Sequence, residues 1–253
     1  MRKKHILLVN DDGVNSDGIK LLAEKLVLIG FKVTIIAPNK EKSCYSHLIT
    51  LFDNICYKTI KIEPNLEIYS LKGSPADCVK FGLLHIIKDK VDLIISGINN
   101  VMNVGNDIYY SGTVCAAIEG SLTNIPSIAI SLDEFGHGYG DSINFIANNL
   151  DTFMSMILEN KTILNINIPY ADFQKIKGVK ITMVGEKLYD DYYVKKFRGY
   201  VLKGLQREFV KTNQDTDVEV TADGYISISP IKIEFTSKSI YEKLKSAELK
   251  IKI

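Results

Sequence analysis

Three polar stretches of the chain hold the side chains that could do chemistry. In NDDG, Asp11 and Asp12 set two carboxylates side by side just after the apolar run HILLV. PNKEKSCYSHLIT offers the hydroxyls of Ser43 and Ser46. GINNVMNVGNDIYYSGT brings the amide oxygens of Asn99, Asn100 and Asn103 and ends in Ser111, Gly112 and Thr113. Carboxylate, hydroxyl and amide oxygens form a hard donor set that suits Mg2+ or Mn2+ better than zinc or copper. Two negative charges neutralise one divalent ion and leave room for neutral ligands, water and substrate. Ser111, Gly112 and Thr113 stand before a helical pattern whose first N–H groups lack internal partners, so this end can hold an anion. Gly112 lets the backbone approach closely. A cation beside an anion-binding helix start suits phosphate ester hydrolysis, because phosphoryl charge is neutralised and an attacking water is acidified.

Each feature also has a plainer reading. An Asp-Asp pair can be turn and cap chemistry, an Asn-rich loop can simply form turns, and Ser111 can be only a helix cap. Asp17 is the better cap for the first helix, which frees Asp11 and Asp12. His47 reads as a surface residue, with proton donation to a leaving group as the sharper option. What favours a site is that all three stretches follow buried strands.

Those strands belong to an alternating pattern. HILLV, FKVTIIA, VDLIIS, SIAISL and ILNINIP are apolar and β-branched, as buried parallel strands are. Between them lie helical patterns: about Asp17 to Ile29, stopped by Gly30; ADCVKFGLLHIIK, with Ser74 as cap and Pro75 as first residue; TVCAAIEGSLTNI; and INFIANNLDTFMSMILEN. LFDNICYKTIKI and LEIYSLKG are β-rich. In a doubly wound sheet the C-terminal strand ends converge, so the three loops should meet. From about Tyr170, GVKITMVG, YDDYYVKKFRGYVLKGLQREFV and GYISISPIKIEF suggest hairpins, and SIYEKLKSAELK a terminal helix. The expected organisation is an α/β core over about residues 1–168 and a β-rich extension with a terminal helix over about 169–253, completing one domain.

Composition narrows the class. With 253 residues and 46% hydrophobic content the chain can fill a sizeable core. Thirty-one Lys and Arg against 30 Asp and Glu give a net charge of +1, so no global field favours nucleic acid or an acidic membrane surface. MRKK is followed by too short an apolar run for a secretory signal, and no run suits a membrane span. Cys44, Cys56, Cys78 and Cys115 lie far apart without a CxxC pairing, which suggests reduced thiols in the cytoplasm. His5, His47, His85 and His137 offer no zinc spacing.

At these residues the chain resembles the SurE survival protein family, divalent-metal-dependent 5′/3′-nucleotidases. The matching blocks are LLVNDDGVNSDGI, APNKEKSCYSHLIT, LKGSPADCVKFGL, DLIISGINN, NVGNDIYYSGTVCAAIEG and TDVEVTADGYISISPI, and the order NDDG, GSPADCV, YSGTV is specific. The resemblance implies a Rossmann-like α/β core with a mostly parallel sheet, and a C-terminal arm exchanged between subunits of a homodimer or homotetramer. It also implies a cytoplasmic enzyme that hydrolyses nucleoside monophosphates to nucleoside and phosphate with one divalent ion. The family's metal pattern falls on Asp11, Asp12, Ser43 and Asn99, and its phosphate pattern on Asn103, Ser111, Gly112 and Thr113. Asp11 or Asp12 would orient or deprotonate the attacking water. The chain departs in carrying Val101 and Cys44 where the family usually has glycine, and Ser74 where it has threonine.

Competing classes are a receiver-like phosphoacceptor, a dehalogenase-type phosphatase and a non-catalytic nucleotide-binding module. The first lacks a convincing acceptor Asp at the end of VDLIIS, which runs into Ser96 and Gly97. The second would need its nucleophile at the position of Asn10. Tyr189, Tyr192 and Tyr193 could pack an arm or meet a base.

Overall fold

The computed structural model of the chain describes residues 2–133, 139–157, 162–170, 172–207, 211–212, 214–234 and 236–247, so His137 and the last residues of the fourth and terminal helical patterns lie outside the described residues. In chain order the strands and α-helices are β1 (His5–Val9), α1 (Asp17–Leu28), β2 (Lys32–Pro38), β3 (Tyr57–Glu63), β4 (Leu66–Leu71), α2 (Pro75–Phe81) and β5 (Leu93–Asn99). There follow α3 (Gly112–Leu122), β6 (Ser127–Leu132), α4 (Gly140–Met156), β7 (Thr162–Ile168), β8 (Val179–Ile181), β9 (Tyr189–Lys196), β10 (Gly199–Gln206), α5 (Asp217–Ala222), β11 (Ile226–Lys232) and α6 (Lys238–Lys245).

Nine strands form one sheet in the order β3-β4-β2-β1-β5-β6-β7-β11-β8, with β4 to β7 all parallel within it. Period-two alternation explains how β1 is buried on both faces. Ile6 and Leu8 enter the cluster built on α1 and α4, while Leu7 and Val9 enter the one containing Cys78 and Val79 of α2 and Ala116 of α3. The result is a Rossmann-like arrangement of helix, sheet and helix layers. From β1 the chain winds outward through β2 and β4, then returns to β5 on the other side of β1. That reversal opens a crevice at the C-terminal ends of β1 and β5, where such sheets hold ligands.

Local chemistry sets the helix starts. Ser74 caps α2 through a full capping box with Asp77, and Pro75 is its first residue. At α1 the cap position belongs to Ser16, which makes no side-chain cap bond, and Asp17 is the first helical residue, where its charge suits the dipole. The expectation that GVKITMVG and GYISISPIKIEF form hairpins is corrected. β8 runs parallel to β11, and β11 pairs antiparallel with β7, so both extend the main sheet. Among the described residues after Tyr170, β9 and β10 alone form a hairpin, a separate two-stranded sheet, while β3 and β4 form another at the far edge of the main sheet.

Candidate active site

β1 delivers the aspartate pair to the crevice, and Asn10 shapes the turn that follows. Its buried amide donates to the Gly13 carbonyl at 3.0 Å and accepts the Gly13 N–H at 3.1 Å. The loop after β2 lies directly against this turn. Val14 N–H donates to the Pro38 carbonyl at 2.9 Å, and Lys42 N–H to the Asp11 carbonyl at 2.8 Å. Gly13 has φ +99°, and a Cβ there would stand 3.2 Å from the backbone of Pro38 and Lys40. Glycine is what allows the two loops to touch.

Asp11 is only 5% exposed, and its Oδ1 accepts the Thr113 hydroxyl at 2.5 Å. The start of α3 reaches this close because residue 112 is glycine: a Cβ there would stand 3.0 Å from both the Asp11 Cβ and the Pro75 Cγ. Burial pushes the Asp11 carboxyl up, and the Thr113 hydroxyl partly offsets that. Asp12 is pushed up to about 7, first by burial, then by the charges of Asp11 and Glu41. Its Oδ2 is buried and meets no hydrogen-bond donor. A carboxylate oxygen in that state is expensive unless a cation faces it.

The remaining candidate oxygens lie on the loops that follow β2 and β5, the strands on either side of β1. Ser43 is exposed and donates to Glu41 Oε1 at 2.6 Å. Asn99 ends β5 and gives its amide nitrogen to the Val101 carbonyl at 2.7 Å, which leaves the amide oxygen for coordination. Among the described residues no three His, Cys, Asp or Glu side chains form a group able to hold a metal ion. A cation at the aspartate pair therefore depends on neutral oxygens such as these. Ser111 caps α3 by accepting the Val114 N–H at 3.1 Å and keeps its own proton to donate. Thr113 gives both its hydroxyl and its backbone N–H to the Asp11 carboxylate, so it serves that carboxylate and not an anion.

Other candidates are engaged elsewhere. Ser46 donates to the Tyr109 carbonyl at 2.7 Å, and the Asn100 amide oxygen accepts the Tyr139 hydroxyl. His47 pairs with Glu119 at 2.9 Å, and Glu119 with Lys80 at 2.6 Å. Glu119 lies eight residues along α3 from Ser111, about 12 Å at a helical rise. Asn103 is buried, and its amide nitrogen donates to Ser131 Oγ at 2.8 Å while β7 side chains bracket its backbone. Sequence reasoning missed Glu41, Tyr139, Asn165, Asn167 and Asp217. Asp217 is fully buried and accepts from Gly105 N–H at 3.0 Å and Gly185 N–H at 2.7 Å, pinning the loop after β5.

The family model described as "Survival protein SurE" matches residues 6–191, most of the chain. The chain belongs to the SurE family. A protein named 5′-nucleotidase SurE from Caldanaerobacter subterraneus subsp. tengcongensis is 42% identical over 258 residues, covering 99% of this chain and 100% of that one. Another of the same name, from Thermosipho africanus, is 38% identical over 245 residues, covering 95% and 96%. The crystal structure of the SurE protein from Aquifex aeolicus superposes with a TM-score of 0.81 at 32% identity, covering 95% of this chain and 98% of that one. The two positions of this SurE chain that replace glycine differ in kind. Cys44 adopts φ +59°, a backbone region that glycine enters freely and cysteine does not. The Val101 side chain is 52% exposed, while its carbonyl accepts from Asn99 and from Asn103 at 3.4 Å.

Proposed function

We propose that this SurE chain is a divalent-metal-dependent phosphomonoesterase that hydrolyses nucleoside 5′- and 3′-monophosphates to nucleoside and phosphate. The observation that carries the reading is Asp12 Oδ2, a buried carboxylate oxygen without a donor. It lies beside Asp11, which is itself held by the start of α3. The relatives named 5′-nucleotidase SurE support a nucleotide substrate. The donor set fits one Mg2+ or Mn2+ ion held by Asp11, Asp12, Ser43 and Asn99. When bound, such an ion neutralises phosphoryl charge and lowers the pKa of a water.

The chain's own groups do the rest. On this reading the Gly112 N–H and the Ser111 hydroxyl meet the phosphoryl oxygens, since the Val114 N–H is taken by Ser111 Oγ and the Thr113 N–H by Asp11. On the same reading Asn103, in the loop after β5, also meets the phosphoryl group. Thr113 fixes the Asp11 carboxylate, and the aspartate pair orients the attacking water and takes up its proton. Assembly belongs to the same reading. The β9–β10 hairpin is exposed along nearly its whole length, with Tyr193 69%, Phe197 97% and Leu205 68% exposed, which supports exchange of this arm in a homodimer or homotetramer. Four free thiols, two of them exposed, support a cytoplasmic location. Among the described residues no helix is long and apolar enough to cross a membrane. A formal net charge of +1 gives no reason to add nucleic acid as a partner.

Phosphate release from 5′- and 3′-AMP and GMP, with Mn2+ or Mg2+ and with chelator, tests the reading. Asp11→Asn and Asp12→Asn are each expected to lower the rate at least ~100-fold, comparable to deleting an electrostatic stabiliser. Metal-independent turnover, or full activity in both variants, overturns it.

A further inference from the structure

We propose that Asn167 and Asn165 of β7, with Ser131 of β6, are positioning residues that set Asn103 for phosphate, an inference that rests on the phosphoesterase reading above. The two asparagines stand two apart on β7, so they share one face of the strand, and both are fully buried. Asn167 brackets a single residue: its Oδ1 accepts the Asn103 N–H at 2.8 Å, and its Nδ2 donates to the Asn103 carbonyl at 3.2 Å. Asn165 Nδ2 adds a second bond to that carbonyl at 2.8 Å. Ser131 Oγ then accepts the Asn103 side-chain Nδ2 at 2.8 Å. Backbone and side chain of one loop residue are thus both held by strands.

The anchor points share a row of the sheet. Asn99 pairs in register with Ser131, and Ser131 with Asn167. That row carries a proposed metal ligand at one end and the bracket of a proposed phosphate ligand at the other, so three rigid strand ends set their spacing. Sites built this way are more precise than sites on free loops. Asn165 also keeps its Oδ1 buried and without a donor. An apolar residue at that position would avoid this cost, which is a mark of a position shaped by function.

The test uses the full chain and two readouts. Asn167→Ala and Ser131→Ala are assayed for AMP hydrolysis, for inhibition by inorganic phosphate and for the Mn2+ concentration giving half activity, with folding checked by circular dichroism. The expected result is at least a ~10-fold rise in KM for AMP and in the phosphate inhibition constant, with the Mn2+ value within about twofold. Unchanged phosphate constants in a folded variant, or a parallel rise in the Mn2+ value, overturn the proposal. Amide hydrogen exchange by NMR is independent of any substrate. Exchange at Asn103 is expected to speed up at least ~10-fold in Asn167→Ala while exchange at Thr113 stays unchanged. Equal exchange at Asn103 overturns the clamp. A wild type that hydrolyses no nucleotide removes the phosphoesterase reading and with it the phosphate role, whatever the exchange shows at Asn103. If Asn167→Ala does not fold, Ser131→Ala, which removes only a hydroxyl, decides the matter.

Discussion

Replacing Asp12 by asparagine should make the metal-free protein more stable while removing its activity. Asp12 is pushed from 3.8 to about 7 by burial and by the charges of Asp11 and Glu41. That rise corresponds to about 4 kcal/mol of differential cost between the charged and neutral forms. The group is only partly buried, and solvent screening brings the usable part to about 1–2 kcal/mol. Between about pH 4 and pH 7 the folded protein holds a proton that the unfolded chain has released. Stability contributed by this group is therefore lost as the pH rises through that window, and the full cost stands above about pH 7. Asparagine carries no charge and escapes this cost at pH 8, whereas at pH 4 it gains nothing.

For a chain of this size 1 kcal/mol moves the melting temperature by about 2–4 °C, so Asp12→Asn should melt about 2–8 °C above wild type in chelator at pH 8. The difference should shrink toward zero at pH 4. Mn2+ should reverse the order, because a ligand at 100 times its Kd adds about 2.7 kcal/mol to a protein able to bind it, and the variant lacks the proposed Asp12 metal ligand. Thermal melts at both pH values, with and without Mn2+, check all three points. A metal-free variant no more stable than wild type at pH 8, or a gain equal at both pH values, refutes the reasoning.

Cys44→Gly should stabilise the chain by about 1 kcal/mol, because the residue sits at φ +59°; a melt shows this as a rise of about 2–4 °C. Gly112→Ala should cut activity at least ~10-fold with little loss of fold, since its Cβ would stand 3.0 Å from that of Asp11 and displace the carboxylate; steady-state kinetics beside a melt separates the two effects. Asp217→Ala should cost about 3 kcal/mol, because the Gly105, Gly185 and Val218 N–H groups all lose their acceptor; urea denaturation measures it.

The parallel strands were legible because burial on both faces leaves continuous apolar runs such as HILLV and SIAISL, and α2 was legible because Ser74 and Pro75 are local signals. β8 and β11 were misread because GVKITMVG and GYISISPI show alternation but not partner: their parallel pairing joins segments far apart in sequence and is decided by packing against β7. At the site, Asp11, Asp12 and the Ser111 helix start stood out because charge and hydroxyls interrupt apolar patterning. Glu41 did not, since one acid in the charged loop PNKEKS looks like any solvated residue. Asn165 and Asn167 carried a usable signal: in ILNINIP two amides occupy one face of a strand otherwise read as core, and a buried amide needs a partner.

The contacts divide the site into halves with different dependences. Its carboxylate half is secured by neighbours early in the chain: the Asn10 turn, the loop after β2 and the start of α3. Its proposed phosphate half, the loop from Asn100 to Ser111, is secured mainly by later segments, with Ser46 bonding Tyr109 and Tyr110 from the loop after β2. Asn103 is held from β7 and Gly105 by Asp217. Asp107 pairs with Lys187 at 2.6 Å and accepts the Tyr189 hydroxyl at 3.1 Å, where the β9–β10 hairpin begins. A shift of the hairpin base therefore reaches the proposed phosphate side directly, and the aspartate pair by two longer routes: through α3, and through the loop after β2, where Ser46 bonds Tyr109 and Tyr110 and Lys42 bonds the Asp11 carbonyl. On the proposed reading, coupling between arm position and catalysis registers first as altered phosphate affinity, and metal affinity follows through Asn99, the loop after β2 or the Thr113–Asp11 bond.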